Sequence, residues 1–184
     1  MLCFPIFADS ALVNFGRVTQ KIYRGARLTE EAQYKELSKR GVKTIISLET
    51  TPLDDPILCE KHGIQCLSFI LPLPHPRFGG DQNFDYQTLM RSFFSAVRES
   101  NTHPKVYIHC RYGKDRTGAL AALITLRRYA CRNNTPLEYN EDRLWEKIHE
   151  DLLTYDFREE WYPNLLEQIR GWVYQAPPWI CDSE

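Results

Sequence analysis

The chain has 184 residues and a formal net charge of −1, with 43% hydrophobic and 12% aromatic residues. This composition is that of a folded domain with a sizeable core, and it excludes a wholly disordered chain. The near-zero charge argues against a general binder of nucleic acid or membrane surfaces, because both need a broad cationic field. We therefore expect a single domain over 1–184, with an irregular segment over 1–14.

Six cysteines are scattered along the chain without paired short spacings. This pattern predicts neither a disulfide framework nor a metal site, and it indicates reduced thiols in the cytoplasm. The N-terminal stretch lacks a basic region and is interrupted by Pro5 and Asp9, so a signal peptide is not expected. No apolar run reaches the roughly 20 residues of a membrane span. We expect a monomer, and the sequence leaves export by a route without a signal peptide open.

The first half of the chain predicts three strands and two helices. KIYRG (21–25) is typical of a short strand, and Thr29 is a candidate N-cap for a polar helix ending near Arg40. The β-branched run VKTIISLE (42–49) predicts a buried strand. A short helix over 54–63 and a further strand over 64–73 follow.

The second half begins with a loop over 74–83, which contains two prolines and two glycines. From Tyr86, apolar residues recur with helical spacing, and KVYIHC (105–110) then predicts a strand. The run over 117–130 is apolar on nearly every side, so we expect a central, buried helix. Helices over 141–153 and 157–174 complete the chain, and we assign the aromatic stripe of the last one to the core.

The order of these elements predicts an α/β fold: a central, mostly parallel sheet of four to five strands with helices on both faces. Residues 131–184 would form a helical C-terminal third of the same domain. In such sheets ligands bind at the carboxyl ends of the strands. The turn after Cys110 is therefore the expected site.

That turn, HCRYGKDRTG (109–118), combines a thiol with several cations where a strand meets a helix. Free backbone N–H groups and the helix dipole make such a turn a nest for anions. Gly113 and Gly118 allow tight curvature and close approach, and the planar fork of Arg116 can bind two oxygens of one anion. The turn therefore predicts a site for a phosphate-like dianion.

Cys110 lies at the base of this nest, where groups that bind an anion also stabilise a thiolate. A lone cysteine at a strand end is usually a small core residue, but the arginine that follows after five intervening residues favours a nucleophile. We expect Arg111, Tyr112 and Lys114 to contact the substrate, although the two cations could instead be solvated surface charges. His109 is expected to orient the loop through hydrogen bonds rather than to transfer protons.

HCRYGKDRTG carries the Cys-x5-Arg loop of the protein tyrosine phosphatase superfamily, and the chain resembles a compact member of its dual-specificity branch. The stretch over 18–49 also resembles the entry segment of that branch, and the likeness covers about 15–130. The resemblance implies two-step hydrolysis through a phosphocysteine, with Arg116 holding the phosphoryl oxygens. Thr117 matches the position whose hydroxyl assists departure of the thiolate, and neither a metal nor an organic cofactor is implied.

The resemblance also implies an aspartic general acid on a loop about 30 residues before the cysteine. Asp81 fits this position, whereas Asp85 reads better as a helix cap. Asp115, directly before Arg116, matches loops of lipid phosphatases in which that residue is implicated in proton transfer. We favour Asp81 and keep Asp115 as the alternative.

The sequence does not decide between classes of substrate. The basic loop favours a molecule with several phosphates, such as a phosphoinositide or inositol polyphosphate, but similar loops also serve phosphorylated proteins. Two other classes of function remain: an inactive module that binds phosphorylated partners, and redox or sulfur-transfer chemistry at Cys110. The second of these would need a resolving cysteine nearby.

Overall fold

The computed structural model describes residues 12–50, 54–72, 84–99, 105–131 and 140–182. Five strands form one sheet: β1 (Gly16–Arg17), β2 (Ile22–Ala26), β3 (Val42–Ser47), β4 (Gln65–Ser68) and β5 (Lys105–Cys110). The α-helices are α1 (Glu31–Lys39), α2 (Pro56–Lys61), α3 (Tyr86–Glu99), α4 (Asp115–Ala130), α5 (Glu141–Thr154) and α6 (Pro163–Tyr174). A short 3-10 helix follows at Pro178–Cys181.

The strand order is β1-β2-β5-β3-β4, with β1 antiparallel to β2 and the other three pairings parallel. This confirms the predicted α/β fold with a mostly parallel sheet of four to five strands. The register sets Ala26 beside Cys110 and Ser47 beside His109. The carboxyl ends of β2, β3 and β5 therefore meet at one edge, which is where the predicted site lies.

The sheet separates two apolar clusters because side chains alternate along each strand. Tyr107 of β5 faces α1 and α2, where it packs with Tyr34 and Leu37. Val106 and Ile108 face the larger cluster, which α3 to α6 complete. Helices thus cover both faces, as the sequence predicted.

Helix α4 lies at the centre of the larger cluster, and ten of its sixteen residues are buried. This confirms the prediction of a central helix over 117–130, although the helix begins two residues earlier, at Asp115. Helices α5 and α6 both pack against α4. These contacts support the assignment of 131–184 to the same domain, which stays a prediction.

Three predicted boundaries differ from the structure. The side-chain oxygen of Gln33 accepts the backbone N–H groups of Thr29 and Glu30, at 2.7 and 3.1 Å, so Glu30 rather than Thr29 is the N-cap of α1. The strand predicted over 64–73 is confined to β4 because its pairing with β3 ends where Ser47 meets Ser68. The last long helix begins at Pro163, which suits a first helical turn, so the preceding residues form a turn.

Two disulfides overturn the expectation of reduced thiols. Cys59 of α2 is bonded to Cys66 of β4, and Cys131 at the end of α4 is bonded to Cys181. Both pairs join cysteines that lie far enough apart in sequence to escape the short-spacing criterion, since pairing depends on the fold. Among the described cysteines, only Cys110 is free.

None of the helices within the described ranges has the length and apolar character needed to cross a membrane.

Candidate active site

The segment between β5 and α4 is a tight loop that presses against the neighbouring strand. Gly113 has a φ of +69°, and a Cβ on it would lie 2.5 Å from the backbone carbon of Gly25. Only glycine fits both the conformation and the space. The amide of Gly118 donates to the carbonyl of Lys114 at 2.7 Å, which starts the helix directly behind the loop.

Cys110 is the last residue of β5 and is only 4% exposed. Its backbone carbonyl accepts the amide of Arg27 at 2.8 Å, which fixes the end of the strand. Thr117, the residue after Arg116, is fully buried, and its hydroxyl has no hydrogen-bond partner among the described residues.

Arg116 is anchored by a carboxylate that follows β3. Its Nη1 lies 3.3 Å from Oε1 of Glu49, and Nη1 of Arg27 lies 3.9 Å from the other oxygen of that carboxylate. Glu49 is 7% exposed, whereas the side chain of Arg116 is 35% exposed. The guanidinium is therefore held at its inner side and open toward solvent at its outer side.

His109 is fully buried and pairs with a second carboxylate. Its Nε2 lies 3.0 Å from Oδ2 of Asp54, while its Nδ1 has no hydrogen-bond partner among the described residues. The pair links the residue before Cys110 to the segment that leads into α2. This placement is compatible with the predicted orienting role of His109.

Asp115 is buried and bound by Arg158, in the turn between α5 and α6. Its Oδ1 accepts the backbone N–H of Arg158 at 3.1 Å, and its Oδ2 accepts Nε at 3.0 Å and also Nη2. The hydrogen bond to Asp115 raises the pKa of the Arg158 guanidinium. All these groups donate to the carboxylate, which therefore ties the turn after α5 to the start of α4.

The other two cations of the loop, Lys114 and Arg111, differ in whether a carboxylate neutralises them. Nζ of Lys114 lies 2.6 Å from Oδ2 of Asp156, so its charge is balanced by a neighbour. Arg111 is exposed, and its guanidinium lies 5.2 Å from the centre of the Tyr112 ring, which is 48% exposed. The exposed rim of the loop thus carries one aromatic ring and one cation from adjacent residues.

The two sequence candidates before α3 have different outcomes. Asp81 lies outside the described residues. Asp85 caps α3, as predicted: its carboxylate accepts the amide of Thr88 at 2.9 Å and the hydroxyl of the same residue at 2.6 Å. These hydrogen bonds hold the pKa of Asp85 below its ordinary value.

The turn after α5 contacts the first residue of α4 through Arg158 and Asp115, and sequence reasoning missed this contact. The Arg158 guanidinium lies 4.7 Å from the ring centre of Trp161 and 5.7 Å from that of Tyr162. Trp161 is 45% exposed, so its predicted place in the core is wrong. Burial raises the pKa of Tyr162, and the nearby charges of Asp115 and Cys110 act in the same direction.

Sequence reasoning also missed three charged residues that support the loop from the sheet side. Glu49 and Asp54 follow β3. Glu49 could have been found from its place directly after a predicted parallel strand, because functional residues gather at the carboxyl ends of such strands. Arg24 was visible as a charge in the middle of an otherwise buried strand. No comparable signal marked Asp54, because its partner His109 lies 55 residues away.

The described residues contain no cluster of three or more histidine, cysteine, aspartate or glutamate side chains suited to a metal ion.

Solved structures of known proteins share this fold. The core catalytic domain of the PP-IP phosphatase SIW14 from S. cerevisiae, in complex with citrate, is 18% identical, with a TM-score of 0.58 over 90% of this chain and 87% of that one. TpbA of P. aeruginosa is 18% identical, with a TM-score of 0.62 over 86% and 84% of the two chains. A TpbA variant in complex with pTyr is 16% identical, with a TM-score of 0.59 over 89% and 92%.

No curated protein is significantly similar to this chain. A family model described as the tyrosine phosphatase family matches residues 11–162, which include the five described strands, the loop between β5 and α4 and the turn carrying Arg158. The resemblance drawn from the loop sequence is thereby confirmed, and the chain belongs to the tyrosine phosphatase family.

Proposed function

We propose that the protein hydrolyses phosphomonoesters through a phosphocysteine formed on Cys110. The observation that carries this proposal is the free, buried thiol at the end of β5, with Arg116 six residues on and anchored by Glu49. A cation fixed on its inner side and open on its outer side can hold two oxygens of a bound phosphoryl group. Family membership supports the same reaction class.

In the first step the sulfur of Cys110 attacks phosphorus in line, and the bond from phosphorus to the ester oxygen breaks. The leaving oxygen takes a proton from the general acid. Arg116 and the loop amides stabilise the charge on the equatorial oxygens. Water then attacks the phosphocysteine and gives a proton to the carboxylate of the general acid, while the bond from sulfur to phosphorus breaks and inorganic phosphate is released. The hydroxyl of Thr117 donates to the departing thiolate. No cofactor takes part in these steps.

We assign the general acid to Asp81 rather than to Asp115. The carboxylate of Asp115 accepts hydrogen bonds from three donor groups of Arg158. To donate a proton to the leaving group, Asp115 would have to break these hydrogen bonds. The pH profiles of Asp81→Asn and Asp115→Asn test the assignment, because loss of the acid removes the limb on the basic side. The assignment fails if only Asp115→Asn loses that limb.

The substrate class we propose is a phosphorylated protein or an inositol phosphate or phosphoinositide. The names of the similar structures point both ways, since SIW14 is a PP-IP phosphatase and TpbA was seen with pTyr. The exposed ring of Tyr112 suits a flat aromatic phosphate, whereas Arg111 suits an additional phosphate group. Phosphate release across phosphotyrosine and phosphothreonine peptides, phosphoinositides and inositol polyphosphates separates these classes.

Hydrolysis of p-nitrophenyl phosphate tests the reaction itself. Cys110→Ser should abolish turnover, and Arg116→Lys should lose most of it, because a point charge cannot replace the planar fork. Arg40→Lys is the matched control, since Arg40, directly after α1, forms an exposed ion pair with Glu36. Binding of tungstate without any turnover by the parent protein would indicate a phosphate-binding module instead. Near-normal activity of Arg116→Lys would contradict the bidentate arrangement.

The structure weighs against redox chemistry at Cys110. A thiol reductase needs a second thiol to resolve the oxidised sulfur. The other four cysteines in the described ranges are bonded to one another in two pairs.

A cytoplasmic location and a monomeric state stay predictions. Disulfides persist mainly in oxidising compartments, so the two pairs favour a location outside the reducing cytoplasm. Alkylation of thiols in the protein as isolated from its source, followed by mass measurement, tests this. Four alkylated cysteines beyond Cys110 and Cys3 would support the cytoplasm, and sedimentation gives the oligomeric state.

A further inference from the structure

Arg24 has no part in the reaction as proposed. Its side chain is nevertheless fully buried and is among the largest fully buried side chains in the described part of the chain. It comes from the middle of β2, beside the strand that ends in Cys110. Burying a charge is costly unless partners compensate for the lost water. The partners of Arg24 therefore indicate why it is there.

Arg24 bridges α5 and the phosphate loop. Its Nη1 donates to Oδ2 of Asp151 at 2.8 Å, and its Nη2 donates to the backbone carbonyl of Gly113 at 3.0 Å. Its guanidinium carbon also lies 3.9 Å from the centre of the Tyr155 ring. A Cβ on Gly118 would lie 3.7 Å from Nη2, so the guanidinium sits directly behind the start of α4.

Arg24 also lies within electrostatic reach of the nucleophile. Burial lowers the pKa of its guanidinium, while attraction from Asp151, Tyr155 and Cys110 acts in the opposite direction. The buried cation is thus one of the charges that would act on a thiolate at Cys110.

The contact with Gly113 fixes the direction of a loop amide. A trans peptide is planar, and its carbonyl and N–H point in opposite directions. Because the Gly113 carbonyl is drawn to the buried side by Arg24, the N–H of Lys114 is turned to the open side of the loop. That is the side on which a phosphoryl oxygen would be bound.

We propose that Arg24 is a positioning residue, which holds the Gly113 carbonyl from behind so that the loop amides are preorganised for a bound oxyanion. This inference rests on the proposed function. An arginine is needed because its two Nη groups serve Asp151 and Gly113 at once, whereas the single nitrogen of a lysine cannot reproduce that fork. The residue acts through the loop and does not itself contact the substrate.

The test compares Arg24→Met and Arg24→Lys with Asp151→Asn as the matched control, because the amide of asparagine still accepts from Nη1. Three quantities are measured well below each melting temperature: tungstate affinity by calorimetry, and kcat and KM for p-nitrophenyl phosphate. Both Arg24 variants should bind tungstate about tenfold more weakly and lose about 10- to 100-fold in kcat, less than complete removal of an oxyanion donor costs. Asp151→Asn should lower Tm but stay within about threefold of the parent in both activities.

Other outcomes separate the possible failures. If Arg24→Lys binds tungstate and turns over substrate within about threefold of the parent, the positioning role is overturned. If Asp151→Asn is as impaired as Arg24→Lys, the ion pair rather than the loop contact matters, which also overturns it. Should Arg24→Met fail to fold, Arg24→Lys decides. A parent protein that neither binds tungstate nor releases phosphate overturns the proposed function first, and the inference with it.

Discussion

Replacing Glu49 with alanine tests whether the carboxylate behind Arg116 is needed to aim it. The carboxylate is buried and 3.3 Å from Nη1 of Arg116, so Glu49→Ala releases the inner side of the guanidinium. Hydrogen bonds to charged groups contribute about 1.5–3 kcal/mol. The long separation and the 35% exposure of the Arg116 side chain favour the lower end of that range. At about 1.4 kcal/mol per factor of ten, kcat/KM should fall about tenfold.

Glu49→Gln distinguishes the orienting effect of residue 49 on the Arg116 guanidinium from the effect of its negative charge. Glutamine retains an oxygen that can accept from Arg116, so this variant should stay within about threefold of the parent. The assay is the initial rate of p-nitrophenyl phosphate hydrolysis, and Glu36→Ala serves as the control because Glu36 forms an exposed pair with Arg40. Full activity of Glu49→Ala would refute the anchoring role. An equal loss in both variants would show that the negative charge, rather than the position of the guanidinium, is what the site needs.

Three further predictions concern the loop, a helix cap and a disulfide. Gly113→Ala should cost about 1–3 kcal/mol in backbone strain alone and abolish most activity. Gly171→Ala should not lower Tm, because an added Cβ would meet no described atom within 4 Å apart from its chain neighbours and the backbone of its own helix. Because hydrogen bonds lower the pKa of Asp85, its stabilising effect is present above its ordinary value of about 3.9 and lost as the pH falls, so the Tm difference between parent and Asp85→Ala should shrink between about pH 7 and 3. Cys131→Ser removes the disulfide to Cys181, which closes a loop of 50 residues. The free energy of unfolding measured by urea titration should fall by up to about 4 kcal/mol. An unchanged urea midpoint would contradict the presence of this disulfide.

The fold and the loop between β5 and α4 could be predicted from the sequence because both depend on local patterns. The β-branched run that became β3 and the apolar run that became α4 bury their side chains as their spacing predicted. Cys110 and Arg116 belong to one short motif: Cys110 ends β5, and Arg116 contacts Glu49, which follows β3 at the same edge of the sheet.

The residues that support the loop could not be assigned in the same way, because each acts through a partner distant in sequence. Arg158 reaches Asp115 across 43 residues, and Arg24 reaches Gly113 across 89. Such pairs are set by how α5 and β2 pack around the loop, and no spacing rule in the sequence encodes that packing. The disulfides escaped prediction for the same reason.

Charge balance around the loop has a consequence for how a substrate arrives. Three cations of this region each contact a carboxylate: Lys114 with Asp156, Arg116 with Glu49, and Arg158 with Asp115. Paired charges largely cancel beyond a few ångströms, so the attractive field that reaches a distant anion comes mainly from the exposed Arg111 rather than from these three cations. Association should therefore depend only weakly on ionic strength, and discrimination between substrates would arise after collision, at the rim and in the loop itself.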